Sequence, residues 1–390
     1  MANPFRFGQV VGGDLFCNRT SEIKRITHDL AGGQSIVLYS PRRYGKTSLL
    51  QAVSEKLKAM RILYGHTDFL ATNSKEKVVQ AVSRTAAQVI IDDLKSIEKF
   101  IKRAARFFTR TRFGVRFEPG DSGSFTIWPE LSPQSSSFDS LSDALAGLNS
   151  YLKKTKKRAA IVFDEFQQVL RVNSNFEAEF RTIIQQQDRI AFAFLGSRMH
   201  LLQDIFSNEG RPFYNSAKLI ELGPIALEDL TKFIKARFKK IGVSISGELA
   251  LGIATRAKGH PDYAQRICSH IFDVLECNRV SEEVVKAGMS RMLVSLTASF
   301  AGVFEELPLR ESQVMTILAE QGPIATFPSK ILQQYDMGAP ALHKALTNLV
   351  KKDLVRRGQD KKYFITDNFL AEWIKEVLKS GGEPNISKIL

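Results

Sequence analysis

Two short stretches hold the side chains best suited to chemistry. The first, "LYSPRRYGKTSLL" (38–50), ends an apolar run in Gly45-Lys46-Thr47-Ser48. It follows the phosphate-loop pattern G-x-x-x-x-G-K-[ST] except at its first position, where Ser40 replaces glycine. Backbone N–H groups of residues 42 to 47, those of Arg43, Tyr44 and Gly45 included, can point at a β-phosphate where the helix begins. Gly45 allows close backbone approach. Lys46 offers a cation to the β- and γ-phosphates, Thr47 a hydroxyl to Mg²⁺, and Ser48 completes the loop. The first position has to make a tight turn after the strand, which a small Ser beside Pro41 can supply.

The second stretch, "RAAIVFDEFQQVL" (158–170), ends an apolar run in Asp164-Glu165. An acid at a strand tip can hold Mg²⁺, and its neighbour can orient or deprotonate an attacking water. Asp164 is assigned to the metal and Glu165 to the water, against the plainer alternative of a helix N-cap. A third stretch, "FAFLGSRMHLL" (192–202), ends in Gly196-Ser197-Arg198. Ser197 is the candidate to sense the γ-phosphate or position water. Arg198 could face phosphate in its own or a neighbouring subunit, or simply solvent.

The elements that must carry these residues are legible in the apolar pattern. The runs 35–40, 61–68, 159–165, 190–197 and 218–223 are β-rich, and several are apolar without alternation, as in strands covered on both faces. Helical patterns separate them, which predicts a parallel α/β sheet. Leu49, Val53 and Leu57 recur along one face of the helix that opens at the loop. Residues 76–108 read as one long helical region. Residues 113–128 change period around "PGDSG" (119–123) and predict an inserted β-hairpin, followed by a polar loop over 132–140. The expected organisation is an α/β core over 1–225, a helical lid over 226–304 and a winged helix over 305–390. In the last, "GAPALHKALTNLVKKDLV" (338–355) places Leu342, Leu346, Leu349 and Val350 on one helix face. "LVRR", "GQD" and "KKYFIT" then make a two-stranded wing.

Composition bounds the setting. The 390 residues carry a net charge of +14, with 55 Lys and Arg against 41 Asp and Glu, a balance that favours polyanionic partners. Cys17, Cys268 and Cys277 are scattered, without the spacing of a disulfide framework or zinc site. The start of the chain lacks the apolar run of a signal peptide, and no stretch approaches the roughly 18 consecutive apolar residues of a membrane span. The expectation is a soluble, cytoplasmic protein without a membrane partner.

Taken in order, "FCNRTSEIKRI" (16–26), "SPRRYGKTSLL", "IVFDEFQQV", "FLGSRMHLLQDIF", "RPFYNSAKLIELGPI" (211–225) and "GHPDYAQRI" (259–267) resemble the archaeal-type ATPases, of the STAND class of AAA+-related P-loop NTPases. The resemblance covers roughly residues 12 to 280 and implies an AAA+-like core with a helical lid; the winged helix fits it. It implies ATP or ADP with Mg²⁺ as ligands, slow hydrolysis and a nucleotide-controlled switch. It implies that Arg19, in the segment before the first strand, helps to seat the adenine, although Asn18 stands where the family has glycine. It also implies that His260, in "GHPDY", lies near the phosphates, with Arg266 a weaker candidate; a helix-capping role competes. An arginine trigger after Pro212-Phe213-Tyr214 is replaced by Asn215, which leaves Arg211 or Arg198 as substitutes. His28, His66, His200, His270 and His343 show no metal spacing and read as ordinary residues.

Two basic regions bear on partners. In 95–117, Lys and Arg interleave with Phe100, Phe107, Phe108, Phe113 and Phe117, which suits nucleic acid, although Ile97, Phe100, Ala104 and Phe108 fall at helical spacing, which assigns those aromatics to a core. In the winged helix, Lys344, Thr347 and Lys351 lie off the apolar face, and Arg356, Arg357, Lys361 and Lys362 mark the wing. Two outputs stay open: a DNA-binding ATPase, or a switch whose winged helix binds protein, another subunit or its own core.

Overall fold

The computed structural model describes residues 2–117, 125–131, 136–172, 174–358 and 360–380. The chain forms two units: residues 19–42 with 46–223, and residues 1–18 with 43–45 and 224–390.

In the first unit, α1 (Thr20–Ala31) leads into β1 (Ile36–Tyr39), and α2 (Lys46–Ala59) into β2 (Leu63–Asp68). The predicted face of α2 is realised: Leu49, Val53 and Leu57 are fully buried, which stabilises the unit by about 1.5–3 kcal/mol per side chain. The long helical region splits in two. Lys95 adopts a left-handed backbone at the end of α3 (Lys75–Leu94), and the Ser96 hydroxyl caps the first turn of α4 (Ile97–Ala104). The inserted hairpin pairs β3 (Thr111–Phe117) with β4 (Phe125–Leu131), from Thr111 opposite Leu131 to Phe117 opposite Phe125, so its strands extend past the expected 113–128. The expected turn at 119–123 and part of the polar loop (132–135) lie outside the described residues. Phe100 and Phe108 are buried and pack edge-on against Phe113, so these aromatics serve the core, as their spacing indicated.

Next come α5 (Ser137–Thr155), β5 (Ala159–Asp164), α6 (Ser174–Gln185), β6 (Ile190–Gly196), α7 (Met199–Ser207) and β7 (Lys218–Glu221). The five sheet strands run parallel in the order β2-β5-β6-β1-β7. Every residue of β1, β5 and β6 is buried, which is why those runs lack alternation. The register sets Asp68 beside Asp164 and Tyr39 beside Gly196, so the C-terminal ends of the central strands gather the chemical stretches at one edge of the sheet.

The second unit continues with α8 (Leu227–Lys240), α9 (Gly247–Arg256), α10 (Pro261–Asp273) and α11 (Glu282–Glu305). By length and composition α11 is apolar enough to cross a membrane. The sequence pattern did not isolate it, because Glu282, Glu283, Lys286 and Arg291 interrupt its apolar run. Its face Met289, Met292, Leu293, Leu296 and Phe300 is buried in the core of the unit. The winged helix follows: α12 (Leu309–Gln321), α13 (Ser329–Gln334), α14 (Ala339–Lys351), the antiparallel pair β8 (Val355–Arg357) and β9 (Tyr363–Ile365), and α15 (Asn368–Ser380). Gln359, in the wing turn, lies outside the described residues. Residues 1–18 group with this helical unit rather than with the sheet: Phe5 packs on Phe238, and the buried Arg237 donates to the Pro4 carbonyl.

Candidate nucleotide site

The loop after β1 is shaped by its backbone. Arg43 and Gly45 both have left-handed φ, +64° and +85°. A Cβ on Gly45 would meet nothing within 4 Å, so glycine is required there by conformation and not by space. Lys46 is buried, and its ammonium is held by the Ser40 carbonyl (3.0 Å), the Ser40 hydroxyl (3.1 Å) and the Pro41 carbonyl (3.2 Å). The departure from the glycine pattern therefore has a structural use: the fully buried Ser40 gives the lysine one of its oxygen partners.

Thr47 and Asp164 come together across the sheet edge. The threonine hydroxyl donates to Asp164 Oδ2 at 3.3 Å. His66, from β2, places Nε2 3.5 Å from the same oxygen. Burial alone would push the Asp164 carboxyl up. The hydrogen bond and charge of His66, the Glu165 N–H and the charge of Lys46 outweigh it and hold Asp164 below its usual range. A hydroxyl and an ionised carboxylate side by side are hard oxygen donors and fit Mg²⁺. Among the described residues no group of three His, Cys, Asp or Glu side chains could hold an ion. A metal here would depend on phosphate oxygens and water as further ligands.

Glu165 follows with φ +52°. Its Oε2 accepts from the Ser197 hydroxyl at 3.2 Å and from the Gln167 amide. The structure thus joins the second and third stretches on one carboxylate. Ser48 is buried in the first turn of α2. Arg19, with φ +75° before α1, is buried and pairs with Glu22 at 3.1 Å. Arg211 is bound to Glu177 (2.8 Å) and Asp204 (3.4 Å), so its guanidinium is committed within the first unit. Arg198 stands at the N-cap of α7. Arg266 pairs with Asp262 at 3.6 Å and stacks over Phe7.

Within the second unit, His260 takes the capping role and also packs on the phosphate loop. Its Nδ1 accepts from the Tyr263 N–H at the start of α10, and its ring meets Tyr44 of the phosphate loop edge-on at 4.5 Å. The contacts continue. His260 packs on Tyr263 (4.7 Å), and Tyr263 on Phe369 of α15 (4.6 Å). The Tyr263 hydroxyl donates to Asp367 Oδ2, while Oδ1 accepts from the backbone of Phe369 (3.0 Å) and Leu370 (3.2 Å). Burial raises the Asp367 carboxyl, against its hydrogen bonds and the charge of Arg43. Tyr44 thus has a ring partner in His260, and the charge of Arg43 reaches Asp367.

Sequence reasoning missed His66, Gln167, Tyr263 and Asp367. His66 had no local signal: its role depends on the pairing of β2 with β5, and the β3–β4 hairpin lies between them in the chain. Tyr263 and Asp367 are over a hundred positions apart and had none.

A strand–loop–helix with Lys46 and Thr47 opposite a strand-tip carboxylate, on a five-stranded parallel sheet followed by helices and a winged helix, defines an AAA+-like P-loop NTPase. Residues 16–251 match the family described as an ATPase domain predominantly from Archaea, and residues 298–376 match a probable winged helix domain. The chain belongs to this archaeal ATPase family. A Walker-type ATPase of Pyrococcus abyssi shares the fold at a TM-score of 0.69, with 16% identity over 95% of this chain and 99% of its own. The ORC2 protein of Aeropyrum pernix, in ADPNP–ADP complexes, shares it at 0.55, with 15% identity over 95% and 94%. No curated protein matches the chain in sequence.

Proposed function

We propose that this protein binds ATP with Mg²⁺, hydrolyses it slowly, and uses the nucleotide state of the loop to set the state of its winged helix. The observation that carries the reading is the double engagement of one loop. Lys46 is held by the Ser40 carbonyl and Thr47 by Asp164, while Tyr44 begins a chain of contacts ending at Asp367, at the start of α15. The ADPNP and ADP of the Aeropyrum pernix ORC2 complexes are the nucleotides such a site would take.

In this reading Lys46 leaves the Ser40 and Pro41 carbonyls for the β- and γ-phosphate oxygens. Thr47 Oγ1 and Asp164 would hold Mg²⁺, which supplies neutralisation of charge on the phosphates. Glu165 orients the attacking water and takes its proton, and Ser197 steadies the same carboxylate. Arg19 and His260 remain the candidates for contacts at the adenine and phosphate ends, in a protein of the STAND type. Loading the loop must change the conformation of Arg43 to Gly45 or the partners of Lys46. Either shifts Tyr44 against His260, and so biases the contacts of Tyr263 and Asp367.

For the output, we propose DNA. Lys344, Lys351, Lys361 and Lys362 are exposed on α14 and the wing. Arg357 lies over the Tyr363 ring, and Lys362 is loosely paired with Asp360 at 3.5 Å. The basic residues Lys99, Lys102, Arg103, Arg106 and Arg110, in and after α4, add a second exposed surface. A specific observation favours the alternative, a switch whose winged helix docks on its own chain. Asn368 donates to the Arg256 carbonyl (3.4 Å), and Glu372 pairs with Arg256 (3.2 Å), so α15 is already fastened to α9.

Lys46→Ala should abolish ATP binding, and Glu165→Gln should keep binding while stopping turnover. Intact nucleotide affinity in the first, or unchanged hydrolysis in the second, refutes the site. ATP turnover with and without duplex DNA then separates the outputs: stimulation supports the DNA reading, and absence of DNA binding at low salt leaves the self-docking one.

A further inference from the structure

The carboxylate of Glu165 is held by a side chain that the motifs did not point to. Phe166 and Val169 are fully buried, and they draw the 3₁₀ turn Phe166–Arg171 into the aromatic core formed with Phe163, Phe180, Phe194 and Phe213. Gln167 is carried in with them and is 2% exposed. Its Nε2 donates to Glu165 Oε2, the oxygen that also accepts from Ser197. Its own Oε1 has no hydrogen-bond partner among the described residues. That oxygen lies against Gly196, where an added Cβ would stand 2.1 Å away.

A buried amide with an unsatisfied oxygen is a poor choice for stability, and an apolar side chain of similar size would suit this core better. The bond that Gln167 makes is therefore the reason for a glutamine. Two donors on one oxygen fix the torsion of the carboxyl group and leave Oε1 as the oxygen that can take a proton from water. Gly196 is the complement of this arrangement, since any side chain there would displace the amide.

We infer that Gln167 is the positioning residue for Glu165 in ATP hydrolysis, with Gly196 providing its seat. The inference rests on the reading of Glu165 as the group that orients water. It does not require any contact between Gln167 and nucleotide.

The test compares the full-length wild type with Glu165→Gln, Gln167→Leu, Gly196→Ala and the Gln167→Leu/Gly196→Ala pair. The measurements are single-turnover ATP hydrolysis, KM, ADP affinity and thermal midpoint. Gln167→Leu should lower kcat about 10- to 100-fold, the range expected for one hydrogen bond to a charged group. KM and ADP affinity should stay within about twofold, and the midpoint should hold or rise. Gly196→Ala should reproduce the loss in kcat, and the pair should be no worse than either single change, because both act through one bond. Wild-type turnover in Gln167→Leu beside an inactive Glu165→Gln overturns this inference alone. Full turnover in Glu165→Gln overturns the reading of the site beneath it. Loss of fold or of nucleotide affinity in Gln167→Leu together with turnover would make Gln167 a structural residue, and would also overturn the assignment.

Discussion

Replacing Tyr263 by phenylalanine removes one oxygen from the middle of the path between the phosphate loop and the winged helix. Tyr263 is 5% exposed, and its hydroxyl donates to Asp367, which is also bonded to the first backbone N–H groups of α15. The phenylalanine keeps the ring contacts with His260 and Phe369, so the change isolates the hydrogen bond. A bond to a charged, largely buried partner contributes about 1.5–3 kcal/mol, and about 2 kcal/mol corresponds to a roughly 30-fold change in an equilibrium constant. Asp367→Asn keeps the cap and removes the charge, so the double variant should lose no more than about 1 kcal/mol beyond Tyr263→Phe. Trp373 of α15 is buried beside Phe300 and Phe304 and can report the transition by fluorescence in urea, with Trp128→Phe silencing the second tryptophan. The coupling has a second signature. If the path transmits nucleotide state, Tyr44→Ala and Tyr263→Phe must both alter ADP affinity, and their effects must be non-additive. A loss under about 0.5 kcal/mol on Trp373 unfolding, or additive effects on ADP affinity within about 0.3–0.5 kcal/mol, would refute the path.

Three further outcomes follow from the same geometry. Ser40→Gly removes one of the oxygens on the Lys46 ammonium and should tighten ATP binding by about 2- to 10-fold, the worth of one modest hydrogen bond; weaker binding by calorimetry would show that Ser40 shapes the loop instead. Duplex DNA binding should weaken steeply between 50 and 200 mM salt, and Lys344→Ala or Lys361→Ala should each reduce the slope by about one; an unchanged slope excludes those residues from the interface. Asp367 binds its proton more tightly folded than at its usual value of 3.8, so its contribution is fully present below that value and is lost as pH rises through the raised folded one. Thermal midpoints from pH 4 upward should therefore fall more in the wild type than in Asp367→Asn, and parallel curves would contradict the assignment.

Where the chain reports one environment per residue, its sequence was readable. The strands β1, β5 and β6 are buried on both faces, so their apolar runs announce a covered parallel sheet without further context. Lys46, Thr47 and Asp164 follow from local pattern, since the loop and the strand tip each hold their chemistry within a few residues. The apolar pattern over 76–108 reads as one helical region because the break lies in backbone conformation alone. Lys95 is an ordinary residue in a left-handed turn, and neither glycine nor proline marks it.

The residues that escaped are those whose meaning is set by register or by long-range docking. His66 gains its role only because β2 pairs with β5 and sets the imidazole against Asp164. Gln167 looks like one of two polar residues after an acidic pair, and only the depth of the 3₁₀ turn distinguishes it from its neighbour Gln168. The same reasoning settles the two loop arginines. Arg42 and Arg43 are both exposed, but Arg43 sits in a left-handed turn and its charge acts on Asp367, at the start of α15. A phosphate loop needs neither side chain to hold a nucleotide. Tyr44 therefore has its packing partner in the helical unit, where the charge of Arg43 also acts, because a phosphate loop that works through its backbone N–H groups leaves those side chains available.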